Sequence, residues 1–187
     1  MTVVSALWGL NYVPATRGWR VSDIAMARNS YPRNPYIKNG RIVEWYLSCL
    51  RRNRRVPAKM IELLLGCEIG CKVPERLFMP HPSGIVVDTH ARLGNDVVLL
   101  QQVTLGVAHP YYDRNVDEKL VDPILKEGVY VGPGAKILGH ITIGEWSVIG
   151  ANAVITVDVP PNSIAVGHNK ILDKKATEIR WVPDDPA

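Results

Sequence analysis

Leu125, Val131, Ile137, Ile143, Ile149 and Ile155 follow one another at every sixth position of the chain. A helix repeats its inward face near 3.6 residues and a plain strand near 2, so an aliphatic at each sixth place fits neither simple period. Two positions before these residues stand Val129, Ala135, Ile141, Ser147 and Ala153, and Gly132, Gly144 and Gly150 come directly after an aliphatic member. Each hexad thus reads as a small inward residue, a spacer, a large inward aliphatic, and a turn where glycine permits close or left-handed backbone. The same phase occurs upstream at Val87, Leu93, Leu99 and Leu105, preceded by Ile85, Ala91, Val97 and Val103. A β-sandwich or an α/β domain would need ten such aliphatics to fall in step by chance. The pattern predicts an all-β solenoid, a parallel β-helix built from coils of very short strands. The step from Leu105 to Leu125 is not a multiple of six, so a loop projects from the coil across about 107–124.

The remaining composition narrows the setting. The chain has 187 residues, 47% of them hydrophobic, which suits one domain with a small appendage. No apolar run is long enough for a membrane span, and the first twenty residues lack the pattern of a cleaved signal, so a cytoplasmic location is expected. Cys49, Cys67 and Cys71 are odd in number and have no histidine at zinc spacing. Buried thiols acting as small hydrophobes are therefore expected, with neither a disulfide nor a metal. The net charge of +4 is mild, but Arg51, Arg52, Arg54, Arg55 and Lys59 concentrate it in one stretch. A cluster of this kind is either a solvated helix end or a surface for a phosphorylated ligand or an anionic membrane; no nucleic-acid partner is expected.

Three segments are expected: a helical N-terminal part over 1–66, the β-helix over 67–172 with its loop, and a charged tail over 173–187. A short helix is expected over Val21–Ala27. Ile42, Trp45, Tyr46, Cys49 and Leu50 fall at helical spacing, predicting an amphipathic helix over about Arg41–Arg55. Pro57 suits the first turn of a second helix that runs to about Leu65 and stops at Gly66. These helices are expected to cap the first coil, since an open solenoid end needs cover. After Ile155 the segment VDVPPNSIAVGHNKIL is expected to leave the repeat through its two prolines.

The segments HPSGIVVDTHARLGNDVVLLQQVTLG and GVYVGPGAKILGHITIGEWSVIGANAVI resemble hexapeptide-repeat acetyltransferases of the serine acetyltransferase type. RNPYIKNGRIVEWYL and ELLLGCEI resemble the short N-terminal region of the colanic-acid-type polysaccharide acetyltransferases in that group. The resemblance spans roughly residues 29 to 172 and implies a left-handed β-helix, a homotrimer, and acetyl-CoA bound between neighbouring subunits. It makes His81 the catalytic base. An alcohol is too weak an acid to ionise near neutral pH, whereas a histidine, with an unperturbed pKa of about 6.5, takes the proton as the oxygen attacks a thioester. The resemblance further implies Glu68 as the carboxylate that orients the imidazole, at a spacing about two residues shorter than the family's. The turn at Gly106 is the candidate oxyanion donor. Gly134, Ala135 and Ala153 are the matching turn residues for the pantetheine arm, where small side chains would let the ligand approach, and Lys170 matches a cation near the nucleotide phosphate. His109, Tyr111 and Arg114, at the base of the loop, are candidate acceptor contacts, and His90 and His140 are expected at solvent-facing turns.

Serine-specific members of that family carry Asp before the catalytic histidine and Arg-His-Pro after the loop. This chain has Pro80 before His81, and Val121, Asp122, Pro123 at the second place. Asp122 is thus a candidate substrate residue with reversed charge preference. The departures predict an O-acetyltransferase for a sugar, a polysaccharide precursor or a similar polyhydroxylated acceptor, with serine as the alternative. A non-catalytic β-helix remains open, as does a metal-dependent hydratase using His81 and His109, although no third histidine is well placed for it.

Overall fold

A computed structural model describes residues 37–108 and 122–173. The N-terminal expectations before residue 37, including the helix over 21–27, and the tail after 173 lie outside the described residues. Within them the chain forms a helical hairpin, α1 (Arg41–Arg51) and α2 (Arg55–Leu65), followed by fourteen short strands. Neither helix is long and apolar enough to cross a membrane.

The strands stack on three faces. The first face is β1 (Glu68–Ile69), β3 (Val86–Val87), β6 (Thr104–Gly106), β9 (Lys136–Leu138) and β12 (Val154–Ile155). The second is β4 (Arg92–Leu93), β7 (Ile124–Leu125) and β10 (Thr142–Ile143). The third runs β2 (Leu77–Phe78), β5 (Val97–Leu99), β8 (Tyr130–Val131), β11 (Val148–Ile149) and β13 (Ser163–Val166), closed by β14 (Lys170–Asp173). Every pairing is parallel except β13 with β14. Val86 pairs with Thr104 and Lys136 with Val154, so one coil takes eighteen residues, three hexads. Thr104 pairs with Lys136 and Val98 with Tyr130, a separation of 32, because the loop is inserted between β6 and β7. Parallel pairing at multiples of the hexad is what the sixfold rows demand.

The rows fill the prism. Val87, Leu99, Leu105, Leu125, Val131, Ile137, Ile143, Ile149 and Ile155 are all 1% exposed or less, and Leu93 is partly buried. The smaller members two positions earlier are buried too. Ser147 among them satisfies its hydroxyl by donating to Pro160 O at 2.8 Å and accepting from Ser163 N at 3.1 Å. Burying one such aliphatic contributes roughly 1.5 to 3 kcal/mol relative to exposure.

Two of the three corners turn in a regular way. Gly84, Gln102, Gly134 and Asn152 at one, and Asp96, Gly128, Trp146 and Asn162 at another, all have positive φ. All but Asn162 stand three residues before a large aliphatic of the row. Trp146 lies over Gly128, whose missing Cβ leaves room for the indole. Gly132 and Gly144 serve differently: a Cβ on Gly132 would meet Ala151 N at 2.7 Å, so these glycines allow the coils to approach. Arg76 ties the first two coils at the second corner, donating from Nε to Asp96 Oδ1 at 2.5 Å and from Nη2 to Oδ2 at 2.7 Å.

The repeat does not end at the prolines. Val159 bridges Ile143, and β13 then stacks on β11 with Val148 opposite Ile164. The coil is sixteen residues there, two fewer than the regular rung, so the prolines shorten the last turn and the prism continues to Ala165.

The hairpin covers the first coil as expected, with one helical face corrected. Ile42 and Trp45 are 40% and 56% exposed, and the buried side of α1 is Val43, Tyr46, Leu47 and Cys49. A buried carboxylate on the second helix explains part of the choice, because Tyr46 donates its hydroxyl to Glu62 Oε1 of α2 at 2.9 Å. The first helix stops at Arg51 and the second begins at Arg55, before Pro57, ending at Gly66 in the left-handed conformation. Cys49, Cys67 and Cys71 are free and buried. Burial pushes the Cys67 thiol up to about 11, with the Glu62 charge adding to it, and pushes Cys71 up to about 12.

Because the inward rows carry the fold, Ile137→Ala is expected to lose about 2 to 5 kcal/mol of stability, whereas Val86→Thr on the outer face of the adjacent strand should stay within about 0.5. Urea unfolding followed by circular dichroism compares the two; equal losses would contradict this account of the core.

Candidate functional site

His81 lies between β2 and β3, at the corner that leads from the third face to the first. Its side chain is exposed, and the residues on either side, Met79 and Ile85, are fully buried. The backbone around it is fastened at several points. Asn39, just before α1, donates from Nδ2 to Leu77 O at 2.8 Å, and its Oδ1 accepts from Met79 N at 2.6 Å. Gly84 N donates to Gly66 O at 2.7 Å, and Gln102 N donates to Ser83 O at 2.9 Å. The imidazole therefore projects from a rigid turn, with no hydrogen bond to its ring among the described residues. Asn39 was not singled out from the sequence. Its signal was local: an Asn at the mouth of a helix favours side-chain bonding to backbone.

Glu68 corrects the expected acid and base pair. It sits on β1 opposite Val86, and its backbone N donates to Ile85 O at 2.8 Å, so it shares the corner of the prism that carries His81. Its carboxylate is 62% exposed and 3.6 Å from Lys59 Nζ. It makes no hydrogen bond to His81 among the described residues. Lys59, which also holds Glu62 Oε2 at 2.9 Å, draws it toward α2 instead.

The other expected contacts sort as follows. Gly106 is the last residue of strand β6, not a turn, and its carbonyl accepts from Gly139 N at 2.8 Å. Ala135 and Ala153 are fully buried and fill the prism, so their small size serves packing and opens no path for a ligand. Their amides bond to Gly132 O and Gly150 O in the turns. Gly134 has φ +73, and a Cβ there would collide with the Asn152 side chain, so glycine is required by the stack itself. Lys170 opens β14 and is exposed. His109, Tyr111 and Arg114 lie outside the described residues.

The third corner, from the first face to the second, is the irregular one. The loop leaves from it, and Asp88 and His90 occupy it one coil earlier. Asp122 follows the loop with a side chain 1% exposed. Its carboxylate is 3.3 Å from His90 Nδ1, and Asp88 Oδ1 is 3.7 Å from the same nitrogen. His90 was expected at a solvent-facing turn; its side chain is 47% exposed and also faces the two carboxylates. Burial holds the Asp122 carboxyl above its ordinary value, the Asp88 charge adds to this, and His90 opposes it.

The basic stretch divides. Arg51 donates to Pro74 O and Glu75 O at 3.0 and 2.8 Å, and Lys59 is held by Glu62 and Glu68. Both are structural. Arg54, Arg55 and Lys72 line a cleft of about 790 Å³ between the hairpin and the first coil, together with Arg51, Lys59 and the carboxylates Glu62 and Glu75.

The second run of coils matches the family described as bacterial transferase hexapeptide (six repeats) over residues 122–156. The chain is 34% identical over 140 residues to a serine acetyltransferase of Mycobacterium tuberculosis, a match covering 73% of this chain and 58% of that protein. It is 36% identical over 115 residues to one of Helicobacter pylori, covering 60% and 64%. A solved serine acetyltransferase in complex with cysteine superposes with a TM-score of 0.58 at 30% identity, covering 80% of this chain and 67% of that one. The chain belongs to the hexapeptide-repeat transferase family. This member spans 58% and 64% of the length of the two curated relatives. A serine acetyltransferase solved with CoA superposes on it equally well, with a TM-score of 0.58 at 30% identity.

In this hexapeptide-repeat protein Asn39 acts on His81 through the backbone. Asn39→Ala removes both of its bonds to the β2 strand and is expected to cost about 1 to 3 kcal/mol. It should also change the rate at which diethyl pyrocarbonate modifies His81, measured by mass spectrometry, while leaving that of the distant His140 unchanged. Equal rates at His81 in both proteins would mean that the clamp does not set the imidazole.

Proposed function

We propose that the protein is an acetyl-CoA-dependent O-acetyltransferase in which His81 is the general base. The observation that carries this is an exposed imidazole on a braced turn, set in HPSGIVV, in a chain whose relatives are named serine acetyltransferases. The imidazole takes the proton of the acceptor hydroxyl as its oxygen attacks the thioester carbon. The tetrahedral oxyanion then collapses, the carbon–sulfur bond breaks, and the imidazolium returns the proton to the departing CoA thiolate. The acetyl ester is the second product. Glu68 contributes as an exposed carboxylate on the neighbouring strand; a hydrogen bond to His81 requires it to leave Lys59.

The family resemblance implies a left-handed coil and a homotrimer, with the thioester lying between protomers. The exposed state of His81 in the isolated chain agrees with a cleft that a neighbour completes. Gly106 and Gly134 would serve CoA through backbone groups only, and Lys170 through its charge, while Ala135 and Ala153 stay with the core. His109, Tyr111, Arg114 and Asp122 are assigned to the acceptor side.

Serine is the acceptor best supported, because the relatives are named for it and a soybean serine acetyltransferase solved with serine superposes with a TM-score of 0.53 at 32% identity. This replaces the sugar as first choice. A phosphorylated sugar remains the second reading, favoured by Pro80, by Asp122 and by the basic cleft beside the hairpin.

His81→Ala should reduce thiol release from acetyl-CoA by about 10²- to 10⁴-fold with an unchanged circular dichroism spectrum. Normal turnover in a folded variant would remove His81 from the mechanism. Wild type offered serine or nucleotide sugars should release thiol with only one class. For the sugar reading, Arg54→Glu with Arg55→Glu should raise the acceptor KM most at low salt; for serine the KM should not move.

A further inference from the structure

The irregular corner assembles a trio that the sixfold pattern does not explain. Asp88 and His90 lie on the turn after β3, and Asp122 lies more than thirty residues on, beyond the loop. The β4–β7 pairing brings them together: Arg92 stands opposite Ile124, and Arg92 N donates to Pro123 O at 3.0 Å. One donor atom from each of the three side chains lies within 4.8 Å of the others.

Two features go beyond a chance meeting of charges. Among the described residues both oxygens of Asp122 are buried and neither receives a hydrogen bond. The 3.3 Å approach of His90 Nδ1 is close but not aligned as one. A buried carboxylate without a donor is unfavourable unless a cation or proton meets it. One protonated histidine would still leave two carboxylates facing a single positive charge. The spacing also admits an ion, with the Asp88 and Asp122 donors within 4.8 Å of each other. Ligands about 2.1 Å from a tetrahedral zinc ion stand about 3.4 Å from one another. Here His90 Nδ1 is 3.3 Å from Asp122 Oδ2 and 3.7 Å from Asp88 Oδ1.

We propose that Asp88, His90 and Asp122 form a binding site for a divalent transition-metal ion, with one nitrogen and two oxygen donors and a coordination position left open. A mixed imidazole and carboxylate set suits zinc, cobalt, iron or manganese over calcium or magnesium. The site takes Asp122 from the acceptor side, and zinc binding there does not depend on the base role assigned to His81.

The test uses the full chain, stripped with a chelator. Zinc titrated by calorimetry should bind with one equivalent per chain. Asp122→Asn and His90→Gln should each weaken it by more than about tenfold, and His140→Gln should leave it unchanged. Cobalt should give visible d–d bands without the near-ultraviolet charge-transfer band of a thiolate. That measurement on the wild type needs no folded variant. Absence of stoichiometric zinc binding overturns the proposal, as does a thiolate band, which would place the metal on Cys49, Cys67 or Cys71. Undiminished affinity in the two folded variants overturns it as well.

Discussion

Parallel register at eighteen residues is the constraint on which the rest of the molecule depends. It puts Val87 under Leu105 and Ile137 under Ile155, and the inserted loop keeps Leu105 under Ile137, so aliphatic side chains stack on one another for the length of the prism. Each coil is too small to bury its own aliphatics, and stability arises only between neighbours. The first coil has a neighbour on one side alone, and the helical hairpin supplies the other through Val43, Tyr46, Leu47, Ala58 and Ile61. At the far end the antiparallel β14 folds back on β13, ending the parallel stacking on that face.

Such a core leaves little freedom for chemistry inside it. A polar group there must be satisfied locally, as Ser147 is, and two corners are occupied by stacked left-handed turns. Chemistry is confined to places where the stacking is incomplete or interrupted. His81 stands where the first coil takes twenty residues between Leu77 and Val97. Asp88, His90 and Asp122 stand where the loop breaks the repeat. The irregularities of the solenoid and its titratable side chains coincide for this reason.

This also explains how much could be read in advance. The sixfold rows, the interrupting loop and both helices of the hairpin were legible, because burial at a fixed period is a property of neighbouring residues. The exposed faces of Ile42 and Trp45 were not, since the helix chose its buried side through the Tyr46–Glu62 hydrogen bond, a contact between segments. The left-handed positions escaped notice because Gly, Asn, Asp, Gln and Trp all fill them, so the period exists in conformation and not in residue type. Around the site, the position of His81 followed from its motif, but its clamp by Asn39 joins residues some forty apart. The trio at the irregular corner needs the β4–β7 register, which only the length of the loop determines. Ala135 and Ala153 were assigned to a ligand when small size there serves the core.

The same separation governs substrate choice. The residues that specify the coil face inward and are fixed by stacking, so a solved relative at 30% identity shares the fold. The residues that would touch an acceptor face outward at corners and in the loop, where the core imposes no identity. Pro80 and Asp122 can therefore depart from the serine-specific pattern while Met79 and Leu125 beside them stay buried in the rows. Similarity of the coil thus speaks to the fold and not to the acceptor. The basic cleft at Arg54, Arg55 and Lys72 belongs to the hairpin rather than the repeat, so it too could change without disturbing the coil.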